Sequence, residues 1–171
     1  SYPLEPPGTH PSLDTPAYRS TALRHPMRAV RMLPQRLTEV TGPLFGADRV
    51  QRGDDDLTLW AGGEAVGQRI IVRGRVLDSN GRPVPNTLLE VWQANAAGRY
   101  RHINDQWSAP LDAHFNGLGR CATDSDGHYQ FTTIKPGAYP WKNHANAWRP
   151  AHIHFSLFGQ AFTQRLVTQM Y

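Results

Sequence analysis

The sequence predicts an all-β protein: a β-sandwich core joined to an irregular N-terminal arm that contains one short helix. Three observations predict it. Glycine (15) and proline (14) make up about one residue in six of the 171, above the roughly 12% usual in soluble domains, which favours turns and short strands over long helices. Beyond about residue 66 apolar and polar residues alternate at period 2, the mark of half-buried strands. The apolar stretches are separated by turns rich in Asp, Asn, Gly and Pro. No repeat of 20–50 residues interrupts this pattern.

Taken in order, residues 1–65 form the arm, rich in Pro, Gly and charge and placed to wrap its own core or a partner subunit. Within it Pro34 opens Gln-Arg-Leu-Thr-Glu-Val-Thr, and Gly42-Pro43 closes it; Pro at a first turn and Gly then Pro at an exit predict a short helix. Residues 66–171 form the sandwich. Ile70, Val72 and Val76 alternate with Arg73 and Arg75 in a first strand. Asp78-Ser79-Asn80-Gly81 is a turn, and Arg82-Pro83-Val84-Pro85 keeps the chain off a ladder. Strands follow at Leu88 to Gln93, His128 to Thr133, Ala151 to Phe158 and Gln164 to Tyr171. The second of these follows the turn Asp124-Ser125-Asp126-Gly127, and Lys135-Pro136-Gly137 ends it.

Composition narrows the function. Hydrophobic residues are 39% and charged residues 19%, as in a soluble globular protein of one domain. No apolar run of about 18 residues predicts a membrane span, and Ser1 to His10 lacks the apolar stretch of a signal peptide. The net charge is +4, but no dense Lys/Arg run indicates nucleic acid. The single cysteine, Cys121, excludes a disulfide framework and a thiolate metal site. It fits a reducing, cytoplasmic location and reads as a small core residue.

The sharpest local feature is His152-Ile153-His154. On a strand, residues i and i+2 face one side roughly 6.6 Å apart, and their imidazoles can converge on one metal at about 2.0–2.1 Å. Two unconnected surface or core histidines would give the same pattern. Tyr100, in Gly98-Arg99-Tyr100-Arg101-His102, and Tyr139, in Lys135-Pro136-Gly137-Ala138-Tyr139-Pro140-Trp141, sit in loop contexts from which a polar tip could reach inward. Amphipathic packing accounts for such tyrosines equally well. Asp124-x-Asp126-Gly127 lacks the distal Glu of a calcium loop and reads as a turn.

Longer motifs add a resemblance. Gly81-Arg-Pro-Val-Pro-Asn-Thr-Leu-Leu-Glu-Val-Trp92-Gln-Ala-Asn95, Gly98-Arg-Tyr100-Arg-His, Phe115-Asn-Gly-Leu-Gly-Arg120, Thr123-Asp-Ser-Asp-Gly127, Thr133-Ile-Lys-Pro-Gly-Ala-Tyr139-Pro-Trp141 and Trp148-Arg-Pro-Ala-His152-Ile-His154-Phe155 occur in this order. Together they resemble the intradiol ring-cleaving dioxygenase family, densely over residues 66–171 and more loosely in the arm. The Arg-Tyr-Arg-His and Tyr-Pro-Trp forms are closer to the protocatechuate-cleaving β-type chains than to the catechol 1,2-cleaving branch, whose helical dimerisation region has no counterpart here.

The resemblance implies a non-haem Fe(III) held by Tyr100, Tyr139, His152 and His154. It implies cleavage of a catecholic acid, protocatechuate, by O2 to 3-carboxy-cis,cis-muconate in aromatic catabolism. It also implies an α chain as partner in an αβ hetero-oligomer. Phenolate suits hard ferric iron, and the metal must draw each tyrosine far below its free pKa of about 10. By the same match Tyr139 doubles as a base, Arg149 stabilises charge on the ring, and Gln169 orders groups near the iron. Trp92 and Trp141 wall the pocket, and Tyr18 and Arg24 meet the substrate carboxylate. Each has a plainer reading: a surface ion pair for Arg149, an edge-strand residue for Gln169, core aromatics for the tryptophans. Family β chains continue beyond Thr168-Gln169-Met170-Tyr171, so the chain reads as C-terminally truncated. Two other classes stay open, a non-catalytic sandwich subunit or binding module and a zinc hydrolase built on His152 and His154. The latter would need a carboxylate or third histidine and would leave both tyrosines unexplained.

Overall fold

The computed structural model describes residues 8, 12, 14–19, 25–28, 45–141, 144–159 and 165–171. The helix predicted between Pro34 and Gly42 and the substrate-binding candidate Arg24 lie outside them. Among the described residues the protein is all β, with one 3-10 turn at Ala47–Arg49. Its strands are β1 (Leu59–Trp60), β2 (Gly63–Glu64), β3 (Arg69–Arg75), β4 (Leu88–Trp92), β5 (Leu118–Ala122), β6 (His128–Ile134), β7 (Tyr139–Pro140), β8 (Trp148–Arg149), β9 (Ile153–Phe158) and β10 (Arg165–Met170).

Two layers form the sandwich. One is a four-stranded sheet in the order β10-β9-β4-β5, the other a β3–β6 pair. All these pairings are antiparallel. Alternation assigns the faces. In β3, Ile70, Val72 and Gly74 point inward while Arg69, Ile71, Arg73 and Arg75 are exposed. In β4, Leu89 and Val91 are buried in the core, as are Ile153 and Phe155 of β9. Phe131 of β6 crosses the gap to meet Phe155, ring centroids 5.9 Å apart. The core also takes in Leu57, from the segment that precedes β1. Leu57 is drawn there by backbone pairing, its N–H donating to the Thr132 carbonyl at 2.9 Å and the Thr132 N–H to the Asp55 carbonyl at 2.7 Å.

The predicted turns form through their acidic residues. Asp78 Oδ1 accepts the N–H groups of Asn80 and Arg82, and Asp124 Oδ1 those of Asp126 and His128. Gly127 is needed in its turn: at φ +77° a Cβ there would lie 2.6 Å from the Val76 carbonyl oxygen.

Several expectations require correction. β4 ends at Trp92, β6 runs on to Ile134, and β9 begins at Ile153 rather than Ala151. Pro150 cannot extend a ladder, and the carbonyl of that residue is instead taken by the His152 ring. Tyr139, expected in a loop, lies in the two-residue strand β7, paired with Arg149. The edge strand β5 gave no period-2 signal. Its Leu-Gly-Arg start buries little, and only Cys121 is fully inside; pairing with β4 makes it a strand.

Gln93, just past β4, ties the two layers. It is 1% exposed, and its Nε2 donates to the Ile134 carbonyl at 2.9 Å while its Oε1 accepts the Thr133 hydroxyl at 2.8 Å. Gln93→Leu strands both partners in the core and is expected to lower stability by about 1–3 kcal/mol, read as a lower urea midpoint at unchanged m-value.

Candidate metal centre

The outward faces of β4, β9 and β10 converge at one end of the large sheet. Trp92 stands directly opposite His154 across the β4–β9 ladder, and Gln169 opposite His154 across the β9–β10 ladder. Trp92 stacks on the His154 ring, with centroids 4.8 Å apart and planes 1° from parallel. Ile153 and Phe155 turn into the core, so the strand aims His152 and His154 to the other side.

The two imidazoles meet there with Nε2 atoms 3.1 Å apart. His152 Nδ1 lies 2.7 Å from the Pro150 carbonyl. A carbonyl only accepts, so Nδ1 carries the hydrogen and Nε2 of the neutral ring offers a lone pair. The Tyr139 hydroxyl lies 3.2 Å from that same Nε2. Tyr100 meets Tyr139 edge to face, centroids 5.4 Å apart. Its hydroxyl is buried with no hydrogen-bond partner among the described residues.

Electrostatics keep this group neutral when nothing is bound. Burial, then the neighbouring His152 and Arg149, push His154 down to about 4. Burial and Arg149 also lower His152, against the opposing bond to Pro150. Burial raises the Tyr100 phenol, and the adjacent Tyr139 raises it further. Two neutral imidazoles, the Tyr139 hydroxyl and the buried, un-ionised Tyr100 phenol therefore cluster here, and the Tyr100 oxygen lacks a partner among the described residues. A cation would answer every part of that arrangement. Nitrogens 3.1 Å apart suit two donors on one ion about 2.0–2.1 Å away, and a buried orphan hydroxyl becomes a paired phenolate. Fe(III) fits this donor set. Zinc fits less well, because no carboxylate, cysteine or third histidine among the described residues joins the pair. The group Asp124, Asp126 and His128 is a separate, exposed feature of the β5–β6 turn.

Around these four residues stands a second layer. Arg149, on β8, donates to Gln169 Oε1 and lies 3.5 Å from the Tyr171 hydroxyl, which itself donates to Gln169 at 2.7 Å. The Arg149 guanidinium sits 5.5 Å over the Trp141 ring. Tyr18, half exposed, packs at 6.4 Å against the other candidate wall residue, Trp141. Backbone contact holds the tyrosine segments together. A Cβ on Gly98 would lie 2.0 Å from the Ala138 carbonyl oxygen, and one on Gly137 would lie 2.4 Å from that of Ala96.

Comparison with known proteins decides what this centre belongs to. A dioxygenase family model matches residues 40–171, and a model of the protocatechuate 3,4-dioxygenase beta subunit N-terminal region matches residues 2–36. The chain belongs to the intradiol ring-cleaving dioxygenase family. It is 59% identical over 165 residues to the protocatechuate 3,4-dioxygenase beta chain of Burkholderia cepacia, covering 95% of this chain and 70% of that one. The alpha chain of the Pseudomonas putida enzyme is 33% identical over 150 residues, covering 83% of this chain and 71% of that one. Among solved structures, 3-chlorocatechol 1,2-dioxygenase from Rhodococcus opacus 1CP superposes with a TM-score of 0.57 at 31% identity, covering 77% of this chain. Hydroxyquinol 1,2-dioxygenase from Pseudomonas putida DLL-E4 gives 0.57 at 32%, again covering 77% of this chain. The chain spans about half the length of these two structures, 55% and 46%.

For this dioxygenase, the structure brings together nearly every candidate taken from the sequence: Tyr100, Tyr139, His152, His154, Arg149, Gln169, Trp92, Trp141 and Tyr18. Sequence reasoning passed over Tyr171, whose ring lies 5.7 Å from that of His152. The signal was its position two residues beyond Gln169, on the same side of an extended chain. It also passed over Asp105, whose Oδ2 accepts the Tyr100 N–H at 2.8 Å and whose Oδ1 accepts that of Trp107 at 2.9 Å. No local pattern announces that loop contact.

A pH prediction follows for the metal-free chain. His152 and His154 titrate lower when folded than when unfolded, so below about pH 6.5 the unfolded chain binds protons that the folded one refuses, and stability falls as pH drops toward 4. Urea midpoints should decline over that window, and His154→Gln should flatten the decline. A midpoint equally steep in that variant would contradict the assignment.

Proposed function

We propose that the chain is the iron-bearing subunit of a protocatechuate 3,4-dioxygenase, cleaving 3,4-dihydroxybenzoate with O2 to 3-carboxy-cis,cis-muconate. The single observation that carries the reading is the convergence of two histidine nitrogens and the Tyr139 hydroxyl, with the buried, orphaned Tyr100 phenol packed edge to face on the Tyr139 ring. Tyr100, Tyr139, His152 and His154 would hold a non-haem Fe(III). When bound, that ion would supply hard Lewis acidity toward the oxygens of a catecholic substrate.

The other roles belong to the chain's own groups. With the ion bound, Tyr139 would be held as a phenolate, and that phenolate oxygen would accept a proton given up by a catechol hydroxyl, leaving Tyr139 as the neutral phenol. Arg149 brings a fixed cation, oriented by Gln169 and Tyr171, to negative charge developing on the ring. Trp92, lying flat on His154, keeps water from that side of the imidazole. Trp141 backs the Arg149 guanidinium, and Tyr18 beside it, with Arg24, would meet the substrate carboxylate.

The likeness to beta and alpha chains supports an αβ hetero-oligomer with an α-type partner. Residues 1–65 would act as the arm, on this core or on that partner. The single cysteine supports a cytoplasmic location.

The chain, produced with its α-type partner, should retain about one iron per copy. It should be red-brown from phenolate-to-Fe(III) charge transfer, with the band shifting on anaerobic addition of protocatechuate. Tyr100→Phe and Tyr139→Phe should each change the band. Arg149→Ala should keep iron and colour and lose about 10²–10³-fold in kcat. A folded, colourless chain that refuses iron would leave a non-catalytic sandwich subunit as the better account.

A further inference from the structure

We infer that Asn95 is a positioning residue of this centre, the group that fixes the spacing between the Tyr100 loop and the Tyr139 strand. The inference rests on the iron reading above and deepens it. Asn95 lies three residues past β4, is 4% exposed and uses all its polar atoms. Its carbonyl accepts two N–H groups from different segments, those of Gly98 and Gly137, each at 2.9 Å. Its own N–H donates to the Arg99 carbonyl at 2.9 Å. Its side-chain Oδ1 accepts the N–H groups of Ala97 at 3.0 Å and Arg99 at 2.9 Å, and its Nδ2 donates to the Pro110 carbonyl at 2.9 Å.

The consequence is geometric. Oδ1 shapes the turn that launches Tyr100, and Nδ2 holds the far end of the same loop at Pro110. The main-chain carbonyl fastens that turn to the segment entering Tyr139. Glycine at 98 and 137 permits the fastening, because side chains there would strike the facing backbone at 2.0 Å and 2.4 Å. Tyr100 and Tyr139 come from positions far apart in sequence, and Asn95 is a single residue bonded to both segments. Asn95 touches neither phenol oxygen, so its effect on iron passes through the tyrosines it positions. Asparagine suits the post: Asp would lack the donor to Pro110, and Ala would leave two amides and a carbonyl without their partners.

The test compares Asn95→Ala, Asn95→Asp and a control, Val72→Ala, which opens a cavity in the β3–β6 pair. Two readouts are used. One is the nuclear Overhauser contact between the Tyr100 and Tyr139 rings in metal-free protein with labelled tyrosines. The other is iron retention and the visible band of the reconstituted αβ protein. N95A is expected to keep a folded β spectrum, lose the ring contact, hold iron at least tenfold less tightly and shift the band. N95D keeps the Oδ acceptors and should fall between N95A and the unaltered chain. V72A should melt earlier but keep contact, iron and band. An N95A protein with unaltered ring contact and band overturns the inference. If N95A does not fold, N95D decides, and an unchanged contact and band in it overturns the inference equally. If the unaltered chain itself refuses iron, the iron reading fails, while the ring contact in metal-free protein still decides the role of Asn95.

Discussion

The register of β9 is the constraint on which the rest depends. Its side chains alternate, so the strand that sends Ile153 and Phe155 into the sandwich must send His154 to the opposite face. A slip of one residue would bury an imidazole among Phe131, Val91 and Leu89 and expose the apolar set. Hydrophobic burial of roughly 1.5–3 kcal/mol per large side chain therefore aims the histidines, although no part of that energy comes from them. The neighbouring strands complete the effect, since the same register sets Trp92 against one side of His154 and Gln169 against the other.

Strands alone do not make the centre. The two tyrosines come from connections, and connections need a reason to hold still. Here the reason is a dense set of backbone contacts. Asp105 secures the Tyr100 amide, Asn95 fastens both tyrosine segments, and glycine allows them to touch. The β7–β8 pairing adds a further link, placing Tyr139 beside Arg149. The result is a polar cluster on a rigid platform, with neutral imidazoles and a phenol kept protonated by burial. Donor atoms face one another at hydrogen-bond distance, and the Tyr100 oxygen faces no partner. Such an arrangement costs stability and suits a site that binds.

Much of this was legible from residues alone. Period-2 alternation identified β3, which packs one face on the core and leaves the other outside, and segments set between turns identified β4, β6, β9 and β10. Asp-Ser-Asn-Gly and Asp-Ser-Asp-Gly announced their turns, because Asp closes a ring with its own backbone. His-Ile-His carried the metal hint, since spacing on a strand is local information. Tyr100 and Tyr139 were nameable only through resemblance; nothing in their own neighbourhoods distinguishes a metal-facing phenol from a packed one.

By itself, then, the sequence determined the all-β class, most strand positions, the turns and the common face of His152 and His154, because each follows from periodicities within a few residues. The tertiary structure alone decided the rest. It made β5 a strand by pairing, started β9 only at Ile153 past Pro150, and carried Gln93 across the layers to Thr133 and Ile134. It also brought Tyr171 to Arg149, and Asn95 to Gly98 and Gly137 together. These are contacts between segments distant along the chain, set by how the sheets stack and where their connections cross, and no local pattern encodes them.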